Sequence, residues 1–262
     1  MRARLAILLV AALAVGSPIL AQDAPSPTLA QITPEIDALF AKYQADAHIP
    51  GMVYGVVKDG KLAYVKSIGV QNLDDKSAVT ADSRFRIASM TKAFTALAIL
   101  KLRDDGKLGL DDLAEDHVPE MKDWAYPTTD SPRIRVRDLL HHVGGLVTDD
   151  PWGDRQQILP QDDFTKMIAA GVPFSRAPQS AFEYSNYGYA LLGRIIANAS
   201  GMVYTDYIQR TILTPLGMAG SGFDVTRTPK AVYARGYRWE NERWSPEPEM
   251  IDGAFNAMGG MQ

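Results

Sequence analysis

Arg86-Ile87-Ala88-Ser89-Met90-Thr91-Lys92, running into the apolar stretch Ala93-Phe94-Thr95-Ala96-Leu97-Ala98-Ile99-Leu100, is the segment that decides how this chain is read. Residues three apart on an α-helix are separated by close to one turn, so the Ser89 hydroxyl and the Lys92 amine share a face and can touch. If burial keeps the amine neutral, that pair is a nucleophile beside its base. A Ser-x-x-Lys tetrapeptide arises about once by chance in a chain of this length, and its bland reading is a capped helix with an exposed lysine. Three features lift it here. The match is unique in the chain, it opens an apolar helix containing Phe94, Leu97 and Ala98, and a single Tyr-x-Asn, Tyr184-Ser185-Asn186, stands at a second helix start.

Outward from this segment, residues 52–58 and 61–70 are apolar and β-branched runs joined across Asp59-Gly60, a hairpin signal. Upstream, Thr33-Pro34-Glu35 reads as an N-cap, a first-turn proline and a dipole-matching acid, with Ile36, Leu39, Phe40 and Tyr43 on one helical face. Residues 84–87 alternate like a short strand leading into Ser89. Helical periods return over 94–102, 137–142, 187–199 and 205–213, with Gly106, Gly144, Gly201 and Gly217 as stop signals. A second small hairpin is expected from residues 233–239 and Arg243-Trp244 around Glu240-Asn241. A helix, a hairpin, a long helical middle and late short strands make a sheet under helices with a helical lobe inserted. A lone hairpin is marginal in water, so such a sheet calls for more strands.

With 262 residues, 46% of them hydrophobic, the chain can bury a substantial core, and disordered or fibrous classes do not fit. It contains no cysteine, which removes disulfide scaffolds, thiolate nucleophiles and Cys-based zinc sites together. Arg2 and Arg4, an apolar run over residues 5–15 and the small residue Ala21 read as an export signal over residues 1–21, followed by a Pro/Ser/Ala-rich linker over 22–32 and one domain over 33–262. Without Arg2 and Arg4 the 27 basic residues fall to 25 against 31 acidic ones, a net charge of −6, which argues against a nucleic-acid partner. The apolar run is short for a membrane span. Neighbours on a helix point apart, so His141 and His142 make no ligand pattern with the distant His48 and His117, and no metal is expected. The absence of Gly-x-Ser-x-Gly removes the nucleophile elbow of α/β-hydrolases. The loop 149–163, with Trp152 and Gly153, is as readily an ordinary surface loop as a cleft border.

The segment 86–92 resembles that of the serine β-lactamase and penicillin-binding protein superfamily. Within it the chain is most similar to the branch of class C β-lactamases, D-alanyl-D-alanine carboxypeptidases and related esterases. Further matching stretches are Lys107-Leu108-Gly109-Leu110-Asp111-Asp112, Arg137-Asp138-Leu139-Leu140-His141-His142, Phe182-Glu183-Tyr184-Ser185-Asn186-Tyr187-Gly188 and Pro215-Leu216-Gly217-Met218. The resemblance implies an α+β fold, an α/β/α sandwich of β-lactamase/transpeptidase type in which an antiparallel sheet is flanked by helices with an inserted helical lobe. It implies that Ser89 is the acylated nucleophile, Lys92 its base and Tyr184 the proton relay to the leaving group, while Asn186 holds Lys92 or a substrate amide or simply caps its helix. No cofactor is implied; the partner is a small-molecule or peptide acyl donor, and the location is periplasmic or secreted. The family's third motif, Lys or His, a small residue and glycine on a late strand, has no convincing counterpart before Gln262, so the sequence reads as a C-terminally truncated member with its last strands missing. Val143-Gly144 stands where Thr-Ser is common and Gln179 where glycine is common. An exported serine hydrolase, an esterase or D-peptidase before a true β-lactamase, is the leading expectation. A slowly acylating or inactive penicillin sensor is the other.

Overall fold

Residues 27–262 are described by a computed structural model, and the expected leader over 1–21 lies outside the described residues. They divide into a short unit ending at Tyr43 and a large one, Gln44–Gln262. Helix α1 (Leu29–Asp46) begins a turn before the Thr33-Pro34 signal and carries Pro34 inside it. The start is set by Thr28, whose N–H and hydroxyl donate to Gln31 Oε1 at 2.8 and 2.9 Å, one arm of a capping box. Residues 29–32, expected as linker, are therefore helix.

Strands β1 (Gly51–Lys58) and β2 (Lys61–Gly69) form the first hairpin, with Lys58 opposite Lys61. Its turn residues Asp59 and Gly60 have φ of 51° and 71°, the paired left-handed conformation that matches the twist of the strands. Residues 84–87 are not a strand. Arg84 makes one isolated parallel bridge to Tyr233, and the Ile87 N–H instead reaches Met261 O at 3.0 Å, so the segment is tied to the end of the chain.

Helix α2 (Thr91–Asp104) follows a 3-10 turn at Ala88–Met90. Short helices α3 (Ala114–His117), α4 (Val136–Leu140) and α5 (Trp152–Arg155), then α6 (Gln161–Ala169), make up the helical middle. The chain leaves α4 through His142, at φ 57°, not through the expected Gly144. Helix α7 (Asn186–Ser200) is the centre of the fold, for its first eight residues, Asn186 through Gly193, are all buried. A helix enclosed on every side is packed into the core, not laid across its surface. Ser185 caps it, accepting from the Gly188 N–H at 3.1 Å, and Gly201 ends it at φ 71°. Helix α8 (Tyr204–Ile208) runs into a π turn, Gln209–Leu213.

The second hairpin, β3 (Tyr237–Glu240) and β4 (Arg243–Pro246), pairs apart from the first, so the described residues hold two separate two-stranded sheets. Its turn falls at Asn241 and Glu242, one residue later than expected, with φ of 50° and 59°. Trp239 stacks on His48 at 4.2 Å, and Trp244 Nε1 donates to His48 O at 2.9 Å. Helix α9 (Asn256–Gly259) then returns to the core. Ile99 and Leu102 of α2, Leu191, Leu192, Ile195 and Ile196 of α7, and Ala257 and Met258 of α9 form one buried cluster. No helix among the described residues is long and apolar enough to cross a membrane.

Leu192 is fully enclosed in this cluster, so Leu192→Ala is expected to cost about 2–5 kcal/mol in urea denaturation. A loss below about 1 kcal/mol would contradict the central placement of α7.

Candidate active site

The N-termini of α2 and α7 converge, and four side chains expected from the sequence to act together, Ser89, Lys92, Tyr184 and Asn186, meet there. Ser89 lies on the 3-10 turn ahead of α2, exposed to a cleft. Ala88 beside it has φ 46°, a left-handed conformation that costs a non-glycine residue about 1–2 kcal/mol. The turn is held by Met90 N–H to Ile87 O at 3.1 Å and by the terminal segment, where the Met261 N–H donates to Thr91 Oγ1 at 3.2 Å.

Lys92 Nζ faces three oxygens: Ser89 Oγ at 3.1 Å, Asn186 Oδ1 at 2.8 Å and Met258 O at 2.7 Å. Two of these, the amide and the peptide carbonyl, accept and cannot donate. When the amine is neutral, its two N–H groups are therefore taken by Asn186 and Met258, and its lone pair is left toward Ser89. Burial pulls the Lys92 pKa down to about 8 against the attraction of Asp150, Asp154 and Asp149. At pH 7 roughly a tenth of such a group is neutral. Its ammonium also stands 4.9 Å from the Tyr184 ring centroid and 5.4 Å from that of Tyr189.

Tyr184 Oη is 2.7 Å from Ser89 Oγ. Burial, with the carboxylates of Asp150, Asp154 and Asp149, pushes its pKa above the ordinary tyrosine value, although the Ser89 hydrogen bond opposes the shift. The phenol thus keeps its proton over the range in which Lys92 loses one. Its ring stacks on His142, centroids 4.7 Å apart at 30°. His142 Nδ1 accepts the Ser185 N–H at 3.1 Å, and burial together with Lys92 lowers its pKa to about 4. The imidazole is a neutral platform under the phenol.

Asn186 is fully buried. Its backbone N–H and that of Tyr187 donate to the two oxygens of Asp149, each at 2.7 Å, so a carboxylate closes the N-terminus of α7 where the helix dipole favours an anion. For Asp149 burial outweighs those bonds and raises the pKa. The Asn186 Nδ2 donates to Asp150 Oδ1 at 2.5 Å. The loop 149–163 is therefore part of the site: Asp149 and Asp150 touch Asn186, and Asp154 and Arg155 line the cleft into which Ser89 opens, a cavity of about 750 Å³. Trp152 lies outside that cleft, against Phe255 at 6.1 Å.

Met258 O, Asp149, Asp150 and His142 were not legible as site groups. A main-chain carbonyl has no side-chain signature. Asp149 caps a helix 37 residues away, beyond any local pattern, and nothing next to His142 in the sequence marks it as the ring under Tyr184.

The Beta-lactamase family model matches residues 36–262. "Protein flp" of Staphylococcus aureus is 36% identical over 207 residues, covering 78% of this chain and 41% of that protein. A solved class C beta-lactamase is 27% identical, with a TM-score of 0.75, over 91% of this chain and 62% of its own. The octameric penicillin-binding protein homologue of Pyrococcus abyssi is 29% identical, with a TM-score of 0.74, over 87% of this chain and 53% of its own. The architecture is the beta-lactamase-like fold. The chain spans less than half the length of the curated relative.

Asp149→Ala leaves the buried N–H groups of Asn186 and Tyr187 without an acceptor and is expected to cost about 1–3 kcal/mol in urea denaturation; an unchanged midpoint would contradict the cap. The folded-state pKa of His142, about 4, lies below its ordinary 6.5. As pH falls from 6.5 to about 4 the unfolded chain takes up a proton that the folded one does not, and the folded state loses stability over that window. His142→Gln is expected to lose less stability than the parent across it. Equal slopes would contradict the assignment.

Proposed function

Because the chain belongs to the beta-lactamase family, whose fold and members mark serine hydrolase-type enzymes, we propose that it acts through an acyl-enzyme formed on Ser89. The observation that carries this reading is the placement of Lys92 Nζ 3.1 Å from Ser89 Oγ with its other N–H groups held by acceptors at 2.8 and 2.7 Å. Neutral Lys92 takes the proton of the Ser89 hydroxyl as Oγ attacks the substrate carbonyl. The C–O or C–N bond of the tetrahedral intermediate then breaks, and Tyr184 gives its phenol proton to the departing oxygen or nitrogen. The proton gained by Lys92 restores the phenol. Water, activated in the same way, releases the acyl group and returns Ser89. Of the two groups next to Ser89, Lys92 is the better base, since its pKa is lowered to about 8 while that of Tyr184 is raised. The helix N-terminus at Ser89 favours the developing oxyanion.

The acyl donor is an ester, an amide or a D-amino-acid peptide. The Tyr184-Ser185-Asn186 variant of the second motif favours an esterase or D-peptidase over a true β-lactamase. The basic and apolar pattern of residues 1–21 supports a reading of export, to the periplasm or outside the cell.

A fluorophosphonate or fluorescent penicillin is expected to label the protein covalently, and Ser89→Ala to abolish labelling. Lys92→Met is expected to slow labelling by about 100-fold or more, and Tyr184→Phe to slow ester turnover by about 100-fold while still permitting labelling. Absence of labelling of the parent at any probe concentration would favour an inactive sensor-type homologue.

A further inference from the structure

We propose that Asp150 is a positioning residue, which fixes the Asn186 carboxamide with its oxygen toward Lys92 and so keeps the amine aimed at Ser89. This rests on the acylation roles given above to Ser89 and Lys92. The Lys92 ammonium has only hydrogens to offer, and an ionised carboxylate has only lone pairs. Between them the Asn186 amide has one arrangement that satisfies both, Oδ1 to Lys92 at 2.8 Å and Nδ2 to Asp150 at 2.5 Å. Without Asp150 the amide is free to turn its NH2 toward the amine. That places donor against donor and removes one of the two acceptors that direct the lone pair.

The loop encloses Asn186 on other sides too. Asp149 holds its backbone N–H at 2.7 Å, and a Cβ at Gly153 would lie 2.7 Å from Asn186 Cβ and 3.0 Å from Nδ2. Asn186 is fully enclosed, so its amide is out of reach of a molecule in the cleft. Of the roles open to it, holding Lys92 is the one this enclosure permits.

Asp150 also acts by charge. The groups around Lys92 are Ser89 ahead of α2, Tyr184 ahead of α7, Asn186 and Tyr189 in α7, His142 after α4, Asp149 and Asp150 ahead of α5, Asp154 in α5, and Met258 O of α9. Arg86 offsets part of the Asp154 charge. Among the carboxylates Asp150 has the largest attraction for the ammonium. Losing it lowers the Lys92 midpoint, whereas losing the hydrogen bond misorients the amide. Two variants separate the effects.

The test uses the full chain, as parent, Asp150→Asn, Asp150→Ala and Ser89→Ala. p-Nitrophenyl acetate hydrolysis is followed against pH, and Lys92 is titrated directly by NMR of protein labelled with 13C at lysine Cε, its signal assigned by its loss in Lys92→Arg. Asp150→Ala is expected to lower kcat by about 10- to 100-fold with KM changed by less than about threefold, and Asp150→Asn, whose amide oxygen still accepts from Asn186, to stay within about threefold of the parent. In both, the Lys92 midpoint and the acid limb of kcat/KM are expected to move to lower pH. An unchanged Lys92 midpoint in Asp150→Asn overturns the charge role, whether or not Asp150→Ala folds. A kcat in Asp150→Asn as low as in Asp150→Ala, or parental kcat in Asp150→Ala, overturns the orienting role. Parental hydrolysis by Ser89→Ala instead overturns the acyl-enzyme reading, and the NMR midpoint still decides whether Asp150 acts on Lys92.

Discussion

A buried amine ringed by oxygens governs this site. Burying Lys92 penalises its charged form, and three nearby carboxylates partly restore it, so the balance falls at a pKa of about 8 and not at the ordinary 10.5. An exposed lysine would stay charged and serve only as a cation. One buried without carboxylates would be neutral and poorly placed to hold a proton after taking it. The intermediate environment lets one group accept a proton and return it near physiological pH.

The fold holds that environment in place through parts distant in sequence. The 3-10 turn Ala88–Met90 supplies Ser89, α2 supplies Lys92 three residues on, and α7, enclosed at the centre of the core, supplies Asn186 at its N-terminus. The chain's last helix lends a carbonyl to Lys92 and accepts the Thr95 hydroxyl at Ala257 O, 2.7 Å away, so the same helix meets α2 at two successive turns. The left-handed Ala88 and the tied Met261 fix the turn that carries Ser89 from the other side. Each of these contacts joins segments that the sequence separates widely, which is why the site depends on the whole core being formed.

Much of this was legible in the residues themselves. Spacing along a helix put Ser89 and Lys92 on one face, and a lone Tyr-x-Asn at a helix start put Tyr184 and Asn186 in view. The Asp59-Gly60 turn fixed the first hairpin to within a residue. Local reading failed where tertiary bonds replaced local ones. Residues 84–87 alternate like a strand yet pair with the end of the chain, and Thr28-Gln31 outcompetes Thr33-Pro34 for the start of α1. Gln179 occupies a left-handed position, φ 67°, that favours glycine, and its Nε2 gains Asp138 at 3.0 Å as partial compensation. The acid loop over Asn186 had no local pattern, because each carboxylate serves a helix that begins more than thirty residues later.

The central claim, that neutral Lys92 draws the proton from Ser89, is tested most directly by the pH dependence of the acylation rate constant of the free protein with a chromogenic ester under single-turnover conditions. A rate that rises through a single midpoint near 8, set by the pKa of Lys92, and loses that midpoint in Lys92→Met is the expected result. A profile that is flat from about pH 6 to 10, or a midpoint that survives the loss of Lys92, would contradict it.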